Sequence, residues 1–358
     1  MDNKNTSIVL PLATDIAKIL IIRRDNIGDL LCTTPAIAAL RRSYPRAHIA
    51  ALVNSYNAPV LANNPDIDKV YAYTKAKHSD GLALTAWWHE WRVYRHLRRE
   101  RFDLIIHANP SFHKRTAKLV RYLRGKYSLG VSDNPHDKTF NIAVTPEDIS
   151  GTHHVERVYS LLRPLGIVEP PGPLVLRSTA AVDSKPLANR KNPVIAIHIS
   201  SRKPCNRWPL AKFIKLIEAL PPDWKVEVFW APGSADDRKH PGDDEHAQKL
   251  RELCGEKVRL VTTTSLAELI AGLAHADCVV CADGGALHIA AALGKTLVAL
   301  FGCTDAASWG PWQVAHRLHL GHGDAANIDA DEIIQSVFEL MDPSRERGIS
   351  TTVPSHNF

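Results

Sequence analysis

The sequence predicts an α/β protein made of two doubly wound domains in tandem, and three observations carry that expectation. The chain has 358 residues, too many for one comfortable hydrophobic core but enough for two domains that each bury a sheet and its helices. Short β-branched apolar runs alternate with helical patterns in both halves, as parallel strands covered by helices do. Between the halves, residues 168–188 hold Pro170, Pro171, Pro173 and Pro186 and lack helical periodicity, which marks a linker.

In the first half the expected strands are 18–23, 48–53, 69–73 and 103–107, with shorter ones near Ser128 and Asn141. In the second half they are 194–200, 225–231, 258–262, 278–282 and 296–301. A helix over 153–165, closed by Gly166, leads into the linker. The domains therefore run 1–175 and 176–343. The amphipathic pattern at 331–341 suits either domain, and residues 344–358, polar and without period, read as a disordered tail. Ligands of open parallel sheets bind beyond the carboxyl ends of the strands. The informative residues should therefore follow strands, on either side of an interdomain cleft.

With 45% apolar and 23% charged residues the composition is that of an ordinary globular protein. No window approaches the roughly 18 consecutive apolar residues of a membrane span. The run 8–12 contains Pro11, has no basic cluster before it and is followed by Asp15, so it does not read as a signal peptide. Those readings place the chain in the cytoplasm, and its six cysteines fit that compartment. Cys278 and Cys281 form a C-x-x-C inside an apolar strand-like run with no second pair, which predicts buried strand cysteines and no metal site.

The net charge of +6 is uneven. Residues 1–175 hold 24 Lys and Arg against 16 Asp and Glu, and the rest of the chain holds 20 against 22. The excess concentrates in 92–126, where Arg92, Arg95, Arg98, Arg99, Arg101, Lys114, Arg115, Lys118, Arg121, Arg124 and Lys126 face only Glu100 and Asp103. Two readings are open: a solvated helix surface, or a surface for a phosphorylated or membrane-embedded partner. Trp87, Trp88 and Trp91 just before it are either core or the amphipathic edge of a membrane contact.

Four loops after strands carry possible chemistry. In Arg24-Asp25-Asn26-Ile27-Gly28-Asp29, Gly28 suits a tight turn, and Asp29 either caps the next helix or accepts a proton from a bound hydroxyl. A single glycine excludes the dinucleotide fingerprint. In Asp283-Gly284-Gly285-Ala286-Leu287-His288, the glycines open an Ala-rich helix that Gly294 ends. That turn is either a diphosphate cradle, with His288 as an added donor, or a plain strand-to-helix turn with Asp283 as cap. The loop Ser200-Ser201-Arg202-Lys203-Pro204-Cys205-Asn206-Arg207-Trp208-Pro209 offers two hydroxyls and three cations to a leaving group, with Trp208 packing it to its own domain. The fourth, Phe301-Gly302-Cys303-Thr304-Asp305, is small and polar. The Asp- and His-rich loop 232–244 reads as solvated, although its composition also suits a metal.

Arg23-Arg24-Asp25-Asn26-Ile27-Gly28-Asp29-Leu30-Leu31-Cys32-Thr33-Thr34-Pro35-Ala36 resembles the amino-terminal motif of the glycosyltransferase family nine heptosyltransferases. The run from Asp283 to Gly294, continued by residues 301–305 and Trp309-Gly310-Pro311, resembles the same family's carboxyl-terminal motif. With Asn206-Arg207-Trp208-Pro209 and Ser265-Leu266-Ala267-Glu268-Leu269, the resemblance covers nearly the whole ordered chain.

That resemblance implies a GT-B fold with an acceptor-binding first domain and a donor-binding second domain. It implies inverting transfer of heptose from an ADP-heptose co-substrate to the inner core of lipopolysaccharide, a lipid-anchored anionic glycan, at the cytoplasmic face of the inner membrane, with a possible peripheral membrane contact. Asp29 falls on the catalytic base, and Arg23, Arg24, Asn26 and Gly28 go with it to the acceptor side. Ser200, Ser201, Arg202, Lys203, Arg207, Asp283, Gly284, Gly285, Ala286, His288 and Thr304 fall on the donor side. No cofactor, metal or nucleic acid is expected. Many members have a phosphate-binding lysine two places before the Trp-Pro of the third loop, where this chain has Asn206. Arg207, Arg202 and Lys203 are the candidates to replace that charge, and charge reversal at Arg207, which adjoins the position, is expected to weaken donor binding more than the same change at Lys203. Alternative functions are a transferase using another nucleotide sugar or a protein acceptor, and a noncatalytic nucleotide- or glycolipid-binding module.

Overall fold

The computed structural model describes residues 15–74, 83–134, 138–178, 192–234, 236 and 242–342, so the tail 344–358, residues 179–188 of the linker and part of the 232–244 loop lie outside the described residues. The chain divides between Arg177 and Ser178 into two compact units.

The first unit runs β1 (Lys18–Ile22), α1 (Ile27–Leu31), α2 (Thr34–Ser43), β2 (His48–Asn54), β3 (Lys69–Tyr73), α3 (Ala83–Glu100), β4 (Leu104–His107), α4 (Lys114–Leu123), β5 (Tyr127–Val131), β6 (Ile142–Val144) and α5 (His154–Ser160). The second runs β7 (Val194–His198), α6 (Leu210–Ala219), β8 (Lys225–Phe229), α7 (Asp244–Cys254), β9 (Val258–Val261), α8 (Leu266–His275), β10 (Cys278–Ala282), α9 (Gly285–Ala292), β11 (Thr296–Phe301), α10 (Ala306–Trp309), β12 (His316–Leu320) and α11 (Ala330–Met341).

Each unit holds a six-stranded parallel sheet, ordered β3-β2-β1-β4-β5-β6 in the first and β9-β8-β7-β10-β11-β12 in the second. The winding is the same in both. The first strand of each unit lies beside the fourth, and the chain reverses direction across the sheet there, so the loops after β1, β4, β7 and β10 gather at switch points. Helices on both faces explain why Ile19, Leu20, Ile21 and Ile22 are all buried, as are Cys278, Val279, Val280 and Cys281. Burial pushes the Cys278 thiol up to about 12 and that of Cys281 further still, so neither is a reactive thiolate.

Three details depart from the sequence reading. β12 carries His316, Arg317 and His319 on a partly exposed edge, where no apolar run is needed and none announces the strand. The helix expected over 153–165 stops at Ser160 and tightens to a 3₁₀ turn, Arg163–Leu165, because Pro164 has no N–H to continue the α ladder. Gly166 closes that turn with φ 76°. Cys205 and Cys303, 98 residues apart, form a disulfide with Cα atoms 5.7 Å apart. Helix α11 packs on α6, β11 and β12 of the second unit. Among the described residues no helix is long and apolar enough to cross a membrane.

Candidate active site

In the first unit the site is built on the end of β1. Once Ile22 is fixed in the sheet, Arg23 enters the switch point with a side chain only 1% exposed. Its guanidinium is held on several sides. Nη1 donates to the Ala108 carbonyl just beyond β4 at 2.5 Å, and Nη2 donates to Asp29 Oδ1 at 2.7 Å. Nη2 also lies 2.8 Å from His154 Nε2, on α5, and Nε pairs with Asp25 Oδ2 at 3.3 Å. A guanidinium only donates, so His154 Nε2 is the acceptor and the ring proton sits on Nδ1.

Asp29 is fixed at its other oxygen too. Oδ2 accepts from the Asn26 backbone N–H at 3.0 Å and from Asn26 Nδ2 at 3.1 Å. Asn26 is therefore the N-cap of α1, and Asp29, three residues on, reaches back to its N–H; the expectation of Asp29 itself as the cap is corrected accordingly. Gly28 lies inside α1 and is not among the residues with positive φ, so the expected tight turn is absent. The Asp29 side chain stays 14% exposed, which leaves its carboxylate within reach of a ligand.

The rest of this loop is pinned across the sheet. The Asp25 carbonyl accepts from Asn54 Nδ2 at 2.9 Å and Asn57 Nδ2 at 2.6 Å, and its carboxylate accepts from Asn109 Nδ2 at 2.9 Å. Arg24 stands half-buried over the Tyr73 ring, 4.5 Å from its centroid, and donates to Glu90 on α3 at 3.0 Å. Glu90 also accepts from the Tyr94 hydroxyl.

In the second unit the loops after β7, β10 and β11 meet on Asn206, which is fully buried. Its Nδ2 donates to Thr304 Oγ1 at 2.8 Å and lies 3.4 Å from Asp283 Oδ2. Its Oδ1 accepts from the backbone N–H groups of Gly302 at 3.0 Å and Cys303 at 3.1 Å. A Cβ on Gly302 would stand 1.7 Å from the Cys205 carbonyl oxygen, so only glycine allows the two loops to approach this closely. The Cys205–Cys303 bridge ties the same pair of loops.

Of the three cations, Lys203 lies nearest this hub, with Nζ 3.5 Å from Thr304 Oγ1. Burial raises the Asp283 carboxyl above the usual range, offset in part by a Thr304 hydroxyl bond and the Lys203 charge. Arg207 points elsewhere: Nη1 pairs with the buried Asp243 at 2.7 Å and Nε donates to the Ser201 carbonyl at 2.9 Å. Lys203 is thus turned toward Thr304, while Arg207 is turned toward Asp243 and Ser201. Arg202 is exposed.

Gly284, not Asp283, is the N-cap of α9; it is exposed, and Gly285 begins the helix. Ala286 is buried, and His288 is 3% exposed with its ring edge-on to Trp309 at 5.9 Å. His288 thus sits inside the domain rather than at the surface of the turn. The Ser200 hydroxyl accepts from the Ala231 N–H at 2.8 Å and holds the end of β8. Trp208 packs as expected, 4% exposed, with Nε1 donating to the Ile328 carbonyl at 3.1 Å. Among the described residues no three His, Cys, Asp or Glu side chains are placed to hold a metal.

A model of glycosyltransferase family 9 (heptosyltransferase) matches residues 90–332. The chain belongs to glycosyltransferase family 9. It is 30% identical over 302 residues to lipopolysaccharide heptosyltransferase 3 of Escherichia coli K12, covering 80% of this chain and 82% of that protein. Over 315 residues it is 27% identical to lipopolysaccharide heptosyltransferase 1 of Pseudomonas aeruginosa, covering 85% of this chain and 83% of that one. The family 9 fold agrees: an E. coli heptosyltransferase WaaC solved with ADP superposes with a TM-score of 0.73 at 19% identity, over 90% of this chain and 99% of that one. A family 9 glycosyltransferase of Veillonella parvula gives 0.74, also at 19% identity, over 91% and 97%. The chain is thus a glycosyltransferase, and its two doubly wound units are the domains of the GT-B architecture.

Of the residues expected on the acceptor side of this family 9 enzyme, Arg23 and Asn26 hold Asp29 in place, and Arg24 is turned to Tyr73 and Glu90. Ser200, Ser201 and Arg207 brace the second unit, while Lys203, Thr304, Asp283, Gly284 and Gly285 cluster. His154, Asn109 and Glu90 were not legible as site residues. His154 stands 131 residues from Arg23 and meets it only through the packing of α5.

Proposed function

We propose that this glycosyltransferase moves a heptose from ADP-heptose to the inner core of lipopolysaccharide, with inversion, at the cytoplasmic face of the inner membrane. The observation that carries the reading is the Asp29 carboxylate, aimed from the end of β1 with each oxygen held by a donor and part of its surface open. Support also comes from the relatives, named lipopolysaccharide heptosyltransferases, and from a family structure solved with ADP.

In this reading the acceptor hydroxyl attacks the anomeric carbon and its proton passes to Asp29. The new C–O bond forms on the face opposite the breaking bond to the diphosphate, and ADP leaves with that electron pair. Arg23 stays charged throughout and keeps the carboxylate oriented. In the second unit, Lys203, the Thr304 hydroxyl and the N–H groups at the start of α9 are the chain's own donors to the diphosphate. The nucleotide sugar is a co-substrate, and the reaction needs no resident cofactor.

The test is transfer by purified protein from ADP-heptose to a lipopolysaccharide core lacking heptose, read by mass spectrometry. ADP-hexoses and a protein acceptor serve as comparison substrates. A mass gain of one heptose on the core glycan, absent with the other donors, is the expected result. Transfer only from another nucleotide sugar, or only to protein, would replace this assignment.

A further inference from the structure

The outward face of α3 exposes the three tryptophans that the sequence left undecided between core and surface. Trp87 is 57% exposed, Trp88 55% and Trp91 36%. Their rings touch edge-on, Trp87 to Trp88 at 5.5 Å and Trp88 to Trp91 at 5.6 Å, and form one patch. An aromatic patch left in water on a folded domain marks a contact surface, since each such ring gains by removal from solvent.

The patch continues as a cationic stripe. At 3.6 residues per turn, Trp88, Trp91, Arg92, Arg95 and Arg99 lie along one side of the helix, and the three arginines are exposed. The Arg95 guanidinium sits 5.1 Å from the centre of the Trp91 ring. Helix α4, packed beside α3, adds exposed Lys114, Arg115, Lys118 and Arg121. Arg98 is different: it stacks on Tyr122 at 4.7 Å and belongs to the packing of the two helices. On its inner side α3 carries Glu90, which holds Arg24 of the loop that presents Asp29. The aromatic patch is therefore mounted on the same helix that braces the catalytic loop.

We infer that this face of α3 docks the enzyme on an anionic lipid bilayer, with the tryptophans entering the headgroup boundary and the arginines meeting lipid phosphates. Rings with a polar edge suit the interface between water and hydrocarbon, and a row of arginines beside them suits a negatively charged surface. From 92 to 126 the basic side chains face only Glu100 and Asp103, so the charge complementarity is one-sided. The inference rests on the proposed function only for the reason to visit a membrane, namely a lipid-anchored acceptor.

The experiment uses the full chain and vesicles of phosphatidylcholine, with or without one-third phosphatidylglycerol, at low and molar salt. One variant combines Trp87→Ser, Trp88→Ser and Trp91→Ser, and the other combines Arg92→Gln, Arg95→Gln and Arg99→Gln. Wild type is expected to sediment with the anionic vesicles at low salt and to show a blue shift of tryptophan emission. The arginine variant should partition about a hundredfold more weakly, from roughly fivefold per lost charge. The tryptophan variant should lose the shift and bind roughly tenfold more weakly. Molar salt should shrink the arginine effect first, because the screening length falls to about 3 Å. Turnover on detergent-dispersed acceptor should match wild type in both variants. Wild type left in the supernatant, or equal partition of all three proteins, overturns the docking surface. Partition that follows α3 without heptose transfer leaves docking standing and removes the functional reading, and the reverse outcome removes docking alone.

Discussion

Arg23 and Asp29 are joined by a 2.7 Å bond between a side chain 1% exposed and one 14% exposed. The buried partner cannot reach a substrate and the other can, so the pair divides into a positioning group and a reacting one. Asp29→Asn should lower turnover by about a hundredfold or more, the range for losing a positioned base, while donor affinity holds. Single-turnover kinetics and calorimetry with ADP check it, and near-wild-type turnover would remove Asp29 as base.

Replacing Arg23 should injure stability as well as rate. Arg23→Met leaves Asp29 Oδ1 and the Ala108 carbonyl without the guanidinium, and breaking one side of such a largely buried pair costs up to about 3 kcal/mol. Urea unfolding should show the drop, and Arg23→Lys should recover part of it because one bond to Asp29 can re-form. A wild-type midpoint for Arg23→Met would mean the pair contributes little to folding.

Both sheets were legible because each strand buried on two faces is written as an apolar run, as in Ile19–Ile22 and 278–281. The position of Asp29 was legible for the same reason: it follows such a run directly. The contact of its partner Arg23 with His154 was not, since that depends on how α5 packs and no local pattern encodes it. The role of Asn206 was hidden differently. A change of residue type at a motif position reveals that a charge is missing, but not that an amide now donates and accepts between two loops.

The donor loop gives a prediction that reverses the order read from sequence. Lys203→Ala should raise the ADP dissociation constant about tenfold, since Nζ stands exposed beside the Thr304 hydroxyl. Arg207→Ala should instead lower stability by up to about 3 kcal/mol, because Asp243, with a side chain 1% exposed, loses its guanidinium partner and is left with the His246 ring, 3.1 Å from the same oxygen. Asn206→Lys should fail to strengthen ADP binding, because a lysine cannot accept from the Gly302 and Cys303 N–H groups. Titration calorimetry paired with thermal melts separates these outcomes, and a larger affinity loss in Arg207→Ala than in Lys203→Ala would restore the sequence order.

Protein purified without reductant should titrate four thiols after unfolding, and six after reduction, because Cys32, Cys254, Cys278 and Cys281 are free and Cys205 is bridged to Cys303. A cross-link closing a loop of this length stabilises by up to about 4.7 kcal/mol in the chain-entropy treatment, so reduction should also lower the melting temperature. Six thiols in the untreated protein would mean that the two sulfurs stand unbridged, as a reducing compartment favours.

The acid limb of stability should depend on His107, which ends β4 just before Ala108 and Asn109, the residues that hold Arg23 and Asp25. The ring is 3% exposed, lies parallel to Phe140 and faces His113, and burial with that neighbour's charge pushes its pKa down to about 3. In the unfolded chain the same group titrates near about 6.5. As pH falls below that value the unfolded state takes up the proton first, so stability is lost by up to about 1.4 kcal/mol per pH unit until the folded pKa is reached. His107→Phe and His107→Gln remove this group from both states. Compared with its own value at pH 7, wild type at pH 5 should therefore lose about 2 kcal/mol more than either variant in urea unfolding. Parallel losses in all three proteins would show that His107 is not the group that sets the acid limb.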